Sequence, residues 1–188
     1  MAWSILRFGL GSVAIAAAIF SPLSVLANPL EQMEGWVYEV NSAPDVGVSQ
    51  HGLPEGVVSQ GGTMLGNTNA AEPYLIGFYQ YDSTMLISFE QLLLQRKVQT
   101  DQGVINEQYR EILDTAVVTQ PESWLISCQV NGQDDPEIVA IAAEQIDIDV
   151  EWLTDFQGVW RANRTSKKLE EIPTSSVRCL NISYEYDG

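Results

Sequence analysis

The sequence predicts an α+β fold: a single compact domain of mostly antiparallel strands with one or two central helices, behind a cleaved signal peptide. Three observations lead there. Strand-like segments group on both sides of the chain's middle, the middle carries apolar residues at helical spacing, and no regular alternation of strand and helix supports a doubly wound nucleotide-binding sheet.

The segment 1–27 holds one charge, Arg7, followed by an apolar run from Phe8 to Phe20 and a break at Ser21-Pro22. That is the pattern of a secretory signal peptide, and Val25 and Ala27 supply the small residues that precede a cleavage site, so cleavage is expected before Asn28. The competing reading is an uncleaved anchor helix over 5–26. It approaches the ~20 apolar residues that cross a bilayer, but Ser21, Pro22 and Ser24 interrupt it. Cleavage leaves a mature chain from Asn28 to Gly188. We divide the chain into 1–27 as signal peptide, 28–73 as an N-terminal strand and long glycine-rich loop, and 74–188 as the main α+β part of the same domain.

GWVYEVN (35–41) alternates Trp36, Tyr38 and Val40 against Val37 and Glu39, as a strand does. From Ser42 to Pro73 glycine and proline recur without periodicity, which predicts a long irregular loop, and loops of that length usually bind something or move. YLIGFYQY (74–81) is aromatic and β-branched and stops at Asp82-Ser83, so it reads as a buried strand. In TMLISFEQLLLQRKV the front half is expected to return as its hairpin partner. The back half, 89–97, with Leu92, Leu93 and Arg96 at helical spacing, is expected to be a helix.

VINEQYREILDTAV is the strongest predicted helix. Ile105, Tyr109, Ile112, Leu113 and Ala116 form one stripe, and Pro121 is expected to end it. Strands return in SWLISCQV (123–130), IVAIAA (138–143) and IDIDVEW (146–152), then in KLEEIP and SVRCLNISYEY.

A formal net charge of -16 repels nucleic acid and anionic lipid at long range and argues against a nucleic-acid role for the whole body. Within it sits one basic knot, WRANRTSKK (160–168). If residues 164–167 form a hairpin loop, Ala162 faces Leu169 and Arg161 faces Glu170. Arg161, Arg164, Lys167, Lys168 and Arg178 stand against Glu170 and Glu171 in this stretch. A basic tip on an acidic body can dock an acidic protein or the acidic face of another copy. Arg161, Arg164, Lys167 and Lys168 are therefore the interaction candidates.

Cys128 and Cys179 are expected to form a disulfide, as suits an oxidising compartment, worth roughly 4 kcal/mol on loop entropy. No metal site is expected. Asp147, Asp149 and Glu151 offer a weak calcium alternative, because one strand face would space their carboxylates about 7 Å apart; a solvated edge explains them better. His51, in SQHG with Asp45 nearby, is the one imidazole a hydrolase could use, but no GxSxG elbow accompanies it. The tyrosine strand at 74–81 offers a sugar-stacking platform as one reading and plain core as the other. Asn163-Arg-Thr and Asn181-Ile-Ser match the glycosylation triplet.

The string formed by DPEIVAIA, WRAN, EEIPT and VRCLN resembles uncharacterised exported proteins of cyanobacteria over about residues 85–182. The resemblance implies export to periplasm, thylakoid lumen or medium, and brings no catalytic residues. The expected function is an exported non-enzymatic protein acting by protein or surface interaction, self-association included. A cation- or carbohydrate-binding module is the first alternative and a hydrolase the second. No cofactor is expected, nor any membrane contact beyond an uncleaved leader.

Overall fold

The computed structural model describes residues 29–43, 47–66, 73–101, 103–119, 123–143, 146–147 and 149–184. The leader and its cleavage site, Asp45, Pro121 and parts of the 42–73 segment lie outside the described residues. The strands are β1 (Val37–Ala43), β2 (Gly47–His51), β3 (Val58–Leu65), β4 (Tyr74–Tyr81), β5 (Thr84–Thr100), β6 (Gly103–Thr119) and β7 (Trp124–Leu125). They continue as β8 (Cys128–Val130), β9 (Gln133–Asp134), β10 (Ile138–Ala142), β11 (Trp152–Leu153), β12 (Phe156–Asn163), β13 (Lys168–Glu171) and β14 (Val177–Leu180). Among the described residues the helical elements are two short 3-10 turns, Pro29–Gln32 and Thr174–Ser176.

The α+β expectation with central helices is therefore wrong: the fold is nearly all β. Both expected helices, 89–97 and VINEQYREILDTAV, are parts of the 17-residue strands β5 and β6, which pair as one long antiparallel hairpin. The physical reason is a pair of bulges. Phe89 pairs with Asp114 and Glu90 with Ile112, so Leu113 is an extra residue on β6. Leu92 pairs with Arg110 and Leu94 with Tyr109, so Leu93 is an extra residue on β5. Each bulge shifts the two-residue alternation by one, and a shifted strand pattern mimics a helical stripe. The 42–73 segment departs from expectation too, because β2 and β3 occupy most of its described residues.

The first six strands form one curled antiparallel sheet in the order β2-β1-β6-β5-β4-β3. Every consecutive pair except β2 and β3 is hydrogen-bonded, and β1 joins β6. This is the order of an up-and-down barrel with one seam left open, between β2 and β3. The loop 52–57 crosses one end of that seam. A second sheet, β13-β12-β10-β7, packs on the convex side, and a third, β11-β14-β8-β9, packs beyond it.

Strand parity places the core. Ile76, Phe78, Ile87 and Phe89 meet Val139, Ile141 and Ala162 between the first and second sheets. Ile138, Ala140 and Val159 meet Val177 and the two cysteines between the second and third. Inside the curl, Leu30, Met33, Tyr38, Val40, Tyr79, Leu86 and Ile112 plug one end. Full burial of each large aliphatic or aromatic side chain contributes about 1.5–3 kcal/mol.

Cys128 and Cys179 lie directly opposite each other on β8 and β14 and are disulfide-bonded, closing a sequence separation of 51. The bond fits an oxidising compartment. No helix among the described residues is long and apolar enough to cross a membrane.

Candidate functional site

Two features stand out inside the curled sheet: a buried polar layer and, above it, a groove that opens along the seam. The layer is centred on Glu90 of β5, which is fully buried. Tyr38 of β1 donates to Glu90 Oε2 at 2.7 Å, Tyr79 of β4 to Oε1 at 2.6 Å, and Ser88 of β5 to Oε1 at 2.5 Å. The two tyrosine hydroxyls are themselves 2.6 Å apart. Arg110 of β6 brings its Nη1 to 3.8 Å from Glu90 Oε2. Four strands thus meet at one carboxylate, as a buried charge demands if its desolvation is to be offset.

Burial, followed by the negative charge of Glu90, raises the Tyr38 and Tyr79 hydroxyls far above the ordinary phenol range. Both tyrosines therefore stay protonated and keep donating. The backbone makes room as well: a Cβ built at Gly77 would fall on Glu90 Oε1 and lie 2.6 Å from Ser88 Oγ. Only glycine lets β4 pass this carboxylate.

Above the layer is a cavity of about 740 Å³. Gln108 and Arg110 of β6 form its polar end, and Val40, Leu75 and Met64 its apolar walls. Val48 of β2 and Val58 of β3 line it from the two sides of the seam, and they are 69% and 57% exposed. Arg110 donates from Nε at 3.2 Å and from Nη2 at 2.7 Å to Gln108 Oε1, and 17% of its side chain stays exposed. The cavity thus has donors on β6 and a mixed mouth, where Val48 and Val58 stand beside Gln50, Ser59 and Thr63.

Sequence reasoning did not single out Glu90, Arg110 or Tyr38 as a group. One signal was available: Glu90 is the lone acid in the apolar stretch from Thr84 to Leu94, on the same strand face as Leu86 and Ser88.

The residues chosen from the sequence lie elsewhere. The WRANRTSKK hairpin is present with the expected register, Arg161 opposite Glu170 and Ala162 opposite Leu169. Its cations, however, engage other parts of the same chain. Arg161 pairs with Asp135 at 2.7 Å rather than with Glu170. Arg164 Nε lies 2.7 Å from Glu137 Oε1, off the hydrogen-bond axis, while Nη2 donates to the Leu65 carbonyl and the guanidinium stacks over Tyr74. Lys167 reaches Gln91, and Lys168 reaches Glu34 at 2.7 Å and Asp114 at 3.2 Å. Glu170 instead accepts from Asn163 and then from Ser166, which together hold its carboxyl below the usual range. The hairpin tip fastens the second sheet to the first.

Asp147, Asp149 and Glu151 are exposed in a turn rather than on a strand face, where β11 contains only Trp152 and Leu153. Asp147 Oδ1 accepts from the Asp149 backbone N–H. Among the described residues no three acidic, His or Cys side chains cluster as a metal site would. His51 is exposed at the end of β2, its Nε2 3.4 Å from Ser49 Oγ. Tyr74, Phe78 and Tyr79 are core residues at 5%, 1% and 1% exposure, so they offer no stacking face to solvent. Asn163 accepts from the Thr165 and Ser166 backbone N–H groups. Asn181 is buried, donating to the carbonyls of Asp147 and Val150. No protein-family model matches the chain, and no curated protein and no solved structure matches it significantly.

Proposed function

We propose that the chain is an exported, non-catalytic binding protein whose groove holds a small amphipathic molecule. One observation carries this reading: a cavity of about 740 Å³ with donors at Arg110 and Gln108 and an exposed valine on either side of an unpaired seam. Ligand sites commonly have volumes of about 300–1,000 Å³, mostly apolar walls and a few placed polar groups. Glu90 has a structural role in this reading, because its carboxylate already accepts from three hydroxyls.

The basic tip gives way to the groove for a stated reason. Three of its four candidate cations face acids of the same chain, Arg161 with Asp135, Arg164 with Glu137, and Lys168 with Glu34 and Asp114, while Lys167 touches only the Gln91 amide, so about one surplus charge is left at the tip to draw a partner. Export to periplasm, thylakoid lumen or medium belongs to the same proposal. It is supported by the leader-like segment 1–27, by the resemblance to exported cyanobacterial proteins and by the disulfide.

The test is titration of the oxidised protein, starting at Asn28, with the environment-sensitive dye Nile red. Saturable fluorescence enhancement is expected, together with its loss in a Val48→Asp/Val58→Asp variant whose far-UV circular dichroism is unchanged. No saturable signal, or a signal indifferent to that variant, overturns the proposal.

A further inference from the structure

We infer that the groove selects amphiphiles whose head is an uncharged hydrogen-bond acceptor, such as an amide or ester carbonyl, over those with a carboxylate or ammonium head. This rests on the groove reading above and adds the chemistry of the head.

Hydrogen-bond donors outnumber acceptors at the polar end. Arginine carries donors only, so the Gln108 oxygen, held by both Arg110 Nε and Nη2, is consumed. What Gln108 has left is its amide NH2, and what Arg110 has left are further N–H groups, of which Nη1 reaches Glu90 only at 3.8 Å. The polar end of the groove therefore donates and scarcely accepts. A head that also donates, an ammonium above all, meets a cation there and, among the described residues, finds side-chain acceptors only on the seam strands, at Gln50, Ser59 and Thr63.

Charge separates the remaining heads. Among the described residues Arg110 is the one charged side chain lining the groove, and its positive charge is already cancelled by Glu90, fully buried directly beneath it. Glu90 is shut off from water and Arg110 is only 17% exposed, so a third charge beside the pair is poorly compensated. A carboxylate head turns a neutral end into a net negative one, inside a chain that carries a net charge of -16. A carbonyl takes the same N–H donors and changes no charge. The apolar body of the ligand then runs past Val40, Leu75 and Met64 toward Val48 and Val58 at the seam.

Displacement of Nile red by lauramide, lauric acid and dodecylamine near neutral pH tests the inference, since the three share one apolar chain and differ in the head. Lauramide is expected to displace the dye at roughly tenfold lower concentration than laurate, with dodecylamine weakest. Gln108→Leu is expected to weaken lauramide by about three- to tenfold. Glu90→Gln frees the Arg110 charge and is expected to reverse the order in favour of laurate.

If laurate matches or beats lauramide on the unaltered protein, the inference about the head fails while the groove reading stands. The head inference fails in the same way if Glu90→Gln folds and leaves the order unchanged. Should Glu90→Gln fail to fold, the unaltered protein and Gln108→Leu decide the matter. If Nile red itself does not bind saturably, it is the groove reading that fails.

Discussion

Replacing Gly77 with alanine is the most direct challenge to the buried layer. The added methyl would fall on Glu90 Oε1, 2.6 Å from Ser88 Oγ and 2.9 Å from the Tyr79 ring. None of the three can swing into solvent, since Ser88 and Glu90 are 0% exposed and Tyr79 is 1% exposed. Forcing a methyl into such packing costs about 1–3 kcal/mol. Displacing a hydrogen bond to a charged group costs about 1.5–3 kcal/mol more. Against this, alanine restricts the unfolded chain and returns about 0.4–1 kcal/mol. The clash wins, and the net expectation is a loss of about 2–5 kcal/mol. Urea unfolding followed by tryptophan fluorescence measures it. A Gly77→Ala protein within about 0.5 kcal/mol of the parent would show that the carboxylate does not sit over β4, and the site as described would be wrong.

Two further expectations concern pH and a buried amide. Tyr38 and Tyr79 have folded-state values raised above the unfolded one, by burial first and Glu90 second, so the stability they confer is complete below about pH 10 and is lost as pH rises beyond it, by up to about 1.4 kcal/mol per pH unit for each. Urea midpoints that stay flat between about pH 9 and 11 would refute this, and a Tyr38→Phe/Tyr79→Phe protein should have a shallower slope, the remainder coming from Tyr109 and Lys168, which are also raised. Asn181→Ala strips the Asp147 and Val150 carbonyls of their donor and should cost about 1–3 kcal/mol by the same assay; a change below about 0.5 kcal/mol would contradict its role in holding the 147–150 turn.

What was legible in the sequence is what depends on neighbours along the chain. Strand β1, strand β4 with its return through Asp82-Ser83, and the β12–β13 hairpin with its register were all readable from local alternation and turn residues. So was the disulfide, from two cysteines behind a leader-like segment. The helices were misread because Leu93 and Leu113 are bulge residues, and one inserted residue turns a period of two into apparent steps of three and four. The candidate site was not legible because its members come from separate strands. Tyr38 joins Tyr79, Glu90 and Arg110 only once β1 has paired with β6, and, unlike the β4–β5 hairpin, no local pattern encodes that pairing. Arg161 shows the same limit at closer range: its register partner was right, yet a third segment supplied the stronger acid, Asp135.

The pairing of β1 with β6 also bears on how fast the molecule can form. Val37 must find Glu111, whereas the other hydrogen-bonded pairs of the first sheet are hairpin neighbours. Hairpins such as β4–β5 and β5–β6 zip in about 1–10 μs, but a contact across so long an intervening chain bears the entropy of closing that loop before any reward arrives. Tyr38 rides on the late-arriving strand, so the Glu90 carboxylate receives its full set of donors only at that final join. Folding should therefore be paced by this one event, and until it happens β1 and β6 present bare edges to every other chain in the compartment.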